Sequence, residues 1–421
     1  MTQPHRVHVV GAGLAGLAAS LALADAGVGV VLYEAAPFAG GRCRSYLDAK
    51  LGCRIDNGNH LLIAGNRDAM RYADMIGSRD SFTGPRTALY PFLDRATGER
   101  WTLRPNTGKI PWWILSPKRR VAGTGPFAYL SARDLADAPA DAVVTDSLNP
   151  KSTIFRRLWQ PLAVAALNTE VDTGSARLFG TIVRETLGAG GEACIPLVPR
   201  EGLSESLVDP ALARLRAQGT NFRNPSRLRD IGFEDGRAVT LDFEGTAETL
   251  KQGEAVVLAV PAPVASRLVP DLTVPDEFRA IVNAHYRVSL RGDAPYFVGL
   301  VGGLAEWVFR KTETLSVTIS AADRLIDRPA EELAPLLWAD VAAAYDLPPE
   351  PMPPWQIVKE KRATFAATPA QLKRRPPTAT PWSNLVLAGD WTDTGLPATI
   401  EGAIRSGFRA AAHLLGRDQT R

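Results

Sequence analysis

Apolar and polar positions follow two rhythms along the chain. Arg6-Val7-His8-Val9-Val10 is a short β-branched run that predicts a strand. It breaks into Gly11-Ala12-Gly13-Leu14-Ala15-Gly16, and the period then changes. Leu14, Leu17, Ala18 and Leu21 recur at i, i+3, i+4 and i+7, which predicts a helix. Val28 to Tyr33 predicts a second strand, with Glu34 at its end. Residues 66–80 predict a helix with Met70, Ala73 and Ile76 on one side, and 88–105 two strands about the turn Asp94-Arg95-Ala96-Thr97-Gly98. Residues 125–190 are mainly helical in pattern. Leu228 to Phe243 predicts a β meander turning at Glu234-Asp235-Gly236, and Glu254 to Pro261 a buried strand. Antiparallel strands over 285–320 and a helix over 330–346 follow. The stretch 350–384 is rich in Pro, with basic patches at Lys359-Glu360-Lys361-Arg362 and Lys373-Arg374-Arg375. Asn384 to Asp390 predicts a strand ending in Gly389-Asp390, and a last helix reaches about residue 415.

The opening strand, glycine turn, helix, second strand and acid form a dinucleotide-binding fingerprint. Gly11 permits the tight turn, Gly13 lets a pyrophosphate approach the backbone, and Gly16 lets helix and strand pack closely. The free N–H groups at the helix start attract the phosphates. Glu34 accepts hydrogen bonds from the adenosine ribose and repels a 2′-phosphate, which argues against NADP here. One fingerprint leaves no second site for NAD(P)H, and no motif names an electron donor.

The next segment, Ala36-Pro37-Phe38-Ala39-Gly40-Gly41-Arg42-Cys43-Arg44-Ser45, resembles the flavin amine oxidase and phytoene desaturase superfamily, where Gly-Gly-Arg with Ser or Thr lies along FAD. Asp56-Asn57-Gly58-Asn59-His60-Leu61-Leu62 is similar to the Asp-Asn-Gly-Gln-His-Leu-Leu signature of the squalene-associated FAD-dependent desaturase family, the hydroxysqualene dehydroxylases. Asn59 stands where that family has Gln, one methylene longer. Asn57-Gly58 also reads as a plain hairpin turn, with His60 packing beneath it. Trp159-Gln160-Pro161-Leu162 leading to Ala166-Leu167-Asn168-Thr169, and Pro199-Arg200-Glu201-Gly202-Leu203, resemble the same family.

The resemblance implies an α/β fold. A Rossmann-like FAD-binding domain in the two-part, glutathione-reductase-like form takes residues 1–65, 216–270 and 381–421. An interleaved α+β substrate domain of mixed sheet and helices takes 66–215 and 271–380. The implied cofactor is FAD. Its ligands would be Gly11, Ala12, Gly13, Leu14, Ala15, Gly16, Glu34, Ala35, Gly40, Gly41, Arg42, Asn57 and Gly58. Leu228 and Val260 of the middle segment, Gly389 and Asp390, and Ala398, Thr399 and Ile400 at the last helix complete the set. The implied reaction is reductive removal of the hydroxyl of hydroxysqualene to give squalene, in squalene and hopanoid biosynthesis. His60 is the leading acid, as the titratable group nearest the inferred flavin face, and Asn59 and Asn168 are candidates to orient the hydroxyl. Two alternatives stand beside it: a carotenoid-type desaturase or amine oxidase of the same fold, and a flavin-containing lipid carrier without turnover.

Composition narrows the setting. A chain of 421 residues is long enough for two or three domain-sized units. A net charge of +3 argues against bulk nucleic-acid binding. Cys43, Cys53 and Cys194 are too few and too scattered for a disulfide framework or a metal site. A reducing cytoplasm fits, with no signal peptide before the first strand. No apolar run is long enough to span a bilayer. Ile110-Pro111-Trp112-Trp113-Ile114-Leu115-Ser116-Pro117-Lys118-Arg119-Arg120 joins two Trp to a basic trio. It reads either as a core segment with a solvated basic end or as peripheral contact with the inner face of the cytoplasmic membrane.

Overall fold

The computed structural model describes residues 3–290 and 292–417. Its first layer is a five-stranded parallel sheet, with strands in the order 221–223, 29–33, 6–10, 254–258 and 385–387. The central strand Arg6–Val10 lies between Gly29–Tyr33 and Glu254–Leu258, with Val9 opposite both Leu32 and Val257. Side chains alternate between the faces. Val7 and Val9 pack with the helices Leu14–Asp25 and Ile400–Leu414. Val10 joins the opposite cluster beneath the meander of strands 228–234, 237–243 and 246–249. There Tyr33 stacks on Phe243 with ring centroids 4.3 Å apart. The two helices cross closely because Gly407 has no side chain: a Cβ there would lie 2.1 Å from the Ala15 carbonyl oxygen.

The second layer is a seven-stranded sheet, ordered 355–365, 278–286, 315–319, 307–310, 297–301, 90–94 and 100–103. Every pairing is antiparallel except Phe297–Val301 with Tyr90–Asp94. One face packs Val282, Ala284, Val308 and Val317 against Leu333, Leu337 and Val341 of the helix Ala330–Ala344. Phe92, Phe297, Trp307 and Phe309 belong instead to a second core shared with the helical region 126–185.

Three details depart from expectation. The hairpin of strands Ser45–Asp48 and Cys53–Asp56 turns at residues 49–52, where Gly52 takes φ +61, so Asn57-Gly58 is the exit from a strand and not a hairpin turn. The helix predicted over 66–80 ends at Met75 and closes with a short 3₁₀ turn, Arg79–Ser81; Met70, Ala73 and Ile76 are nonetheless all buried. The Pro-rich stretch contains Trp355–Phe365, the longest strand described, at one edge of the seven-stranded sheet. Charged Lys359, Glu360, Lys361 and Arg362 suit an edge strand, since they discourage pairing with another chain.

Candidate functional site

The glycine turn is built as a cradle. Gly11 takes φ +106, and a Cβ there would come within 2.3 Å of the Ala259 carbonyl oxygen. A Cβ on Gly16 would lie 1.8 Å from the Gly11 carbonyl oxygen. Gly13 differs: a Cβ would meet nothing within 4 Å, so its bare backbone faces open space. Leu14 and Ala15 begin the helix there, and the N–H groups of its first turn have no intrahelical acceptor. The Gly40 N–H donates to the Ala12 carbonyl at 2.8 Å, which docks the Gly40-Gly41-Arg42 loop onto the turn. Both Gly40 (φ +103) and Gly41 (φ +58) need left-handed backbone.

Glu34 accepts from the Ala12 N–H at 2.9 Å and the Ala36 N–H at 2.8 Å, one bond per carboxylate oxygen. Each oxygen keeps a further acceptor site for a ribose hydroxyl. Ala35 continues the loop between these two contacts. Leu228 begins the meander, 8 % exposed beneath the second strand. The Val260 carbonyl accepts from the Trp391 indole N–H at 2.9 Å, which ties the middle segment to Gly389-Asp390. The Gly389 N–H donates to the Ser406 hydroxyl at 2.8 Å. Ala398 precedes Thr399, which caps the last helix by accepting from the Gly402 N–H at 3.0 Å, and Ile400 begins that helix.

Arg42 and Asp390, distant in sequence, form an ion pair at 2.5 Å, and Arg42 also donates to the Ala363 carbonyl of the second sheet. An exposed backbone cradle, a helix start, a carboxylate with spare acceptor sites and a half-exposed guanidinium together suit a dinucleotide with two anionic phosphates. The residues therefore fit FAD.

Beside this cradle lies a polar cluster that the sequence did not foretell. Lys311 Nζ sits 3.0 Å from Asp56 Oδ2, with the two side chains only 11% and 3% exposed. Asp56 also accepts from the Ser45 hydroxyl at 2.6 Å and the Leu203 N–H at 2.9 Å. Burial works against its charge. The Lys311 ammonium and these hydrogen bonds outweigh it and hold the carboxyl below its usual range. Burial pushes the imidazoles of His60 and His285 down to about 4; the pull of Asp56 in the other direction is too weak to offset it. Asn57 and Gly58 bring this strand exit against the second sheet: the Asn57 carbonyl accepts from Asn283 at 3.4 Å, and a Cβ on Gly58 would lie 3.3 Å from the Asn283 amide nitrogen.

The three proposed catalytic side chains are not one group. Asn59 donates to the Thr318 hydroxyl at 3.1 Å and the Val317 carbonyl at 3.3 Å, while its buried Oδ1 has no protein partner. Asn168 is 3 % exposed, and its amide is spent on structure. It donates to Thr364 at 2.9 Å and the Arg279 carbonyl at 3.4 Å, and accepts from the Ala321 N–H at 2.7 Å. With both N–H groups engaged, Asn168 staples the end of the helix Gln160–Leu167 to the strands Phe278–Tyr286 and Trp355–Phe365 and to the start of the 3₁₀ turn Ala322–Leu325, and has no donor left for a substrate hydroxyl. His60 is adjacent to Asn59 and within the field of Asp56 and Lys311.

Asp56 lay inside a quoted motif, and a buried acid next to Asn-Gly was the available signal. Lys311 carried none, because its partner lies in another part of the chain.

Comparison with known proteins agrees with this geometry. The model of the flavin containing amine oxidoreductase family matches residues 14–291 and 303–415. The hydroxysqualene dehydroxylase of Rhodopseudomonas palustris is 48% identical over 406 residues, 96% of this chain and 97% of that protein. The hydroxysqualene dehydroxylase of Sinorhizobium fredii is 47% identical over 99% of this chain and 100% of its own length. A solved putrescine oxidase bound to putrescine shares the fold, with a TM-score of 0.70 at 18% identity, over 98% of this chain and 99% of that one. The chain thus belongs to the flavin-containing amine oxidoreductases and, within them, to the hydroxysqualene dehydroxylases, which makes it an FAD-dependent oxidoreductase.

Proposed function

We propose that this chain removes the hydroxyl of hydroxysqualene to give squalene. The observation that carries the reading is the 48% identity to a hydroxysqualene dehydroxylase over almost the whole of both chains. In the reaction the allylic C–O bond breaks, a hydride takes the place of the hydroxyl, and the hydroxyl leaves as water with one added proton. Reduced FAD, when bound, would supply both the hydride and the proton that the departing hydroxyl takes up, and would be left oxidised.

The protein's residues do the rest. The turn at Gly11–Gly16, Glu34, Arg42 and Asp390 would hold the cofactor, and the helix start capped by Thr399 would offer it the positive end of a dipole. The aromatic core of Phe92, Phe297, Trp307 and Phe309 backs the substrate side with apolar surface that keeps water out. His60, neutral at pH 7, offers a hydrogen bond to the departing hydroxyl and not a stored proton. Lys311 supplies the fixed positive charge behind it, held by Asp56. Asn59, with an unpartnered Oδ1, is the amide that orients the hydroxyl. The same reading has the chain collect its water-insoluble substrate from the inner membrane face; no helix among the described residues is long and apolar enough to cross a membrane.

The test is anaerobic. Flavin reduced with dithionite is mixed with detergent-dispersed hydroxysqualene while flavin absorbance and extracted lipid are followed together. Reoxidation matched by squalene supports the reading; flavin that stays reduced rejects it. Replacing His60 by Ala is expected to slow turnover roughly 10-fold with FAD still bound, the size of one lost hydrogen bond to the departing hydroxyl. Unchanged turnover removes His60 from the chemistry.

A further inference from the structure

Of the eight large hydrophobic side chains that stand exposed on the described surface, five come from one short stretch: Ile110, Trp112, Leu115, Phe127 and Leu130. Phe127 is 84 % exposed and Ile110 79%. They do not belong to a frayed loop. Four of them are carried by two 3₁₀ turns, Trp112–Leu115 and Pro126–Ser131, locked together from below, and Ile110 stands two residues before the first. Buried Trp113 meets buried Tyr129 edge to face at 5.0 Å, and the Tyr129 hydroxyl accepts from the Val121 N–H at 2.8 Å. Buried Asn106 pins the first turn, donating to the Gly108 and Ile110 carbonyls at 3.0 Å and accepting from the Trp113 N–H at 3.2 Å. A rigid base with an apolar top is costly in water unless something covers the top.

The rim of this platform says what covers it. Lys109, Lys118, Arg119 and Arg120 border the first turn, and the Arg119 guanidinium lies 4.6 Å over the Trp112 ring. Apolar side chains bordered by cations on the side of the first turn match a leaflet surface, with acyl chains inside and anionic headgroups outside. A cleft of about 440 Å³ opens beside Phe127 and Leu130 and runs to Trp159 of the substrate-side core.

We propose that this platform is a docking surface for an anionic lipid leaflet, into which Ile110, Trp112, Leu115, Phe127 and Leu130 insert. The proposal rests on the lipid-substrate reading above and names the surface and lipid chemistry that reading leaves open.

The test is co-sedimentation of the full FAD-loaded chain with vesicles of phosphatidylcholine alone or mixed with phosphatidylglycerol. Binding to the mixed vesicles, weakened by salt, is expected. The double variant Leu115→Ser/Phe127→Ser, altered only at exposed positions, is expected to stay in the supernatant while keeping its turnover of detergent-dispersed hydroxysqualene. Lys118→Ala is expected to lower affinity for the mixed vesicles about fivefold, the equivalent of ~1 kcal/mol per basic residue at such a surface, with little change on neutral vesicles. Wild-type protein that ignores both vesicles overturns the proposal, as does a double variant that binds as well as wild type. A wild-type dimer that the double variant dissociates, with no vesicle binding by either, assigns the surface to a second copy and also overturns it. Loss of turnover in detergent by the wild type would instead reject the substrate reading and leave the vesicle result standing.

Discussion

Gly13 and Gly16 sit three residues apart and bear opposite constraints. A methyl group on Gly13 meets nothing in the protein, whereas one on Gly16 collides with the Gly11 carbonyl. Gly13→Ala is therefore expected to leave the thermal midpoint of the apoprotein unchanged and to weaken FAD at least tenfold. Gly16→Ala is expected to lower both. Flavin fluorescence titration and a melt of the stripped protein separate the two. The Lys311–Asp56 pair makes a second residue-scale prediction. Removing one partner of a buried pair leaves the other charge unsolvated, at about 3–5 kcal/mol. Lys311→Met should lose about that much stability in urea, and adding Asp56→Asn should restore part of it. Additive losses would show that the pair is not coupled.

Among the elements, the last helix is the most exposed to small changes. It crosses the first helix at Gly407, where a Cβ would press on Ala15 and Ala18. Gly407→Ala should cost about 1–3 kcal/mol through overpacking and, by shifting the Thr399 cap, should also lower FAD retention on a desalting column. An unchanged melt would mean the helices have slack. The first strand, the glycine turn and the strand leading to Gly389 were legible in the sequence because their grammar is local: a β-branched run, a change of period, a glycine where φ is positive. The strand Trp355–Phe365 was not legible. Lys361 and Arg362 are exposed and Lys359 spends its ammonium on the Ile326 and Arg328 carbonyls, so the four charges in a row break the alternation that marks a half-buried strand. The Arg42–Asp390 and Lys311–Asp56 pairs were illegible for a different reason: only the folded sheets bring these side chains together. Asn168 shows the converse. A polar amide closing an apolar helix does need partners, as the sequence suggested, but the partners are backbone and Thr364 and not substrate.

A few titrating groups are held inside the folded molecule. His285 is 1% exposed, donates to or accepts from the Ser316 hydroxyl at 2.8 Å, and is held neutral by burial with its pKa near 4. In the unfolded chain a histidine titrates near 6.5, so the unfolded state takes up a proton first as pH falls. The stability His285 contributes is present above about 6.5 and is lost as pH drops towards about 4, amounting to ~2 kcal/mol by pH 5. His60, also held near 4 by burial, adds to the same window, so urea midpoints at pH 7 and pH 5 should differ by both contributions, and His285→Gln should remove about half of the difference. An identical slope in the variant would assign the acid sensitivity elsewhere.

The parallel sheet is gathered from strands at residues 6–10, 29–33, 221–223, 254–258 and 385–387, with the first strand at its centre. A chain emerging from the ribosome thus makes its phosphate turn first and waits for nearly everything else before Gly389, Asp390 and the last helix arrive. On the proposed ligand set, the cofactor site is complete only when these late segments have joined the first strand and its turn. A flavin spectrum reports the completion of the whole molecule as well as the occupancy of one site.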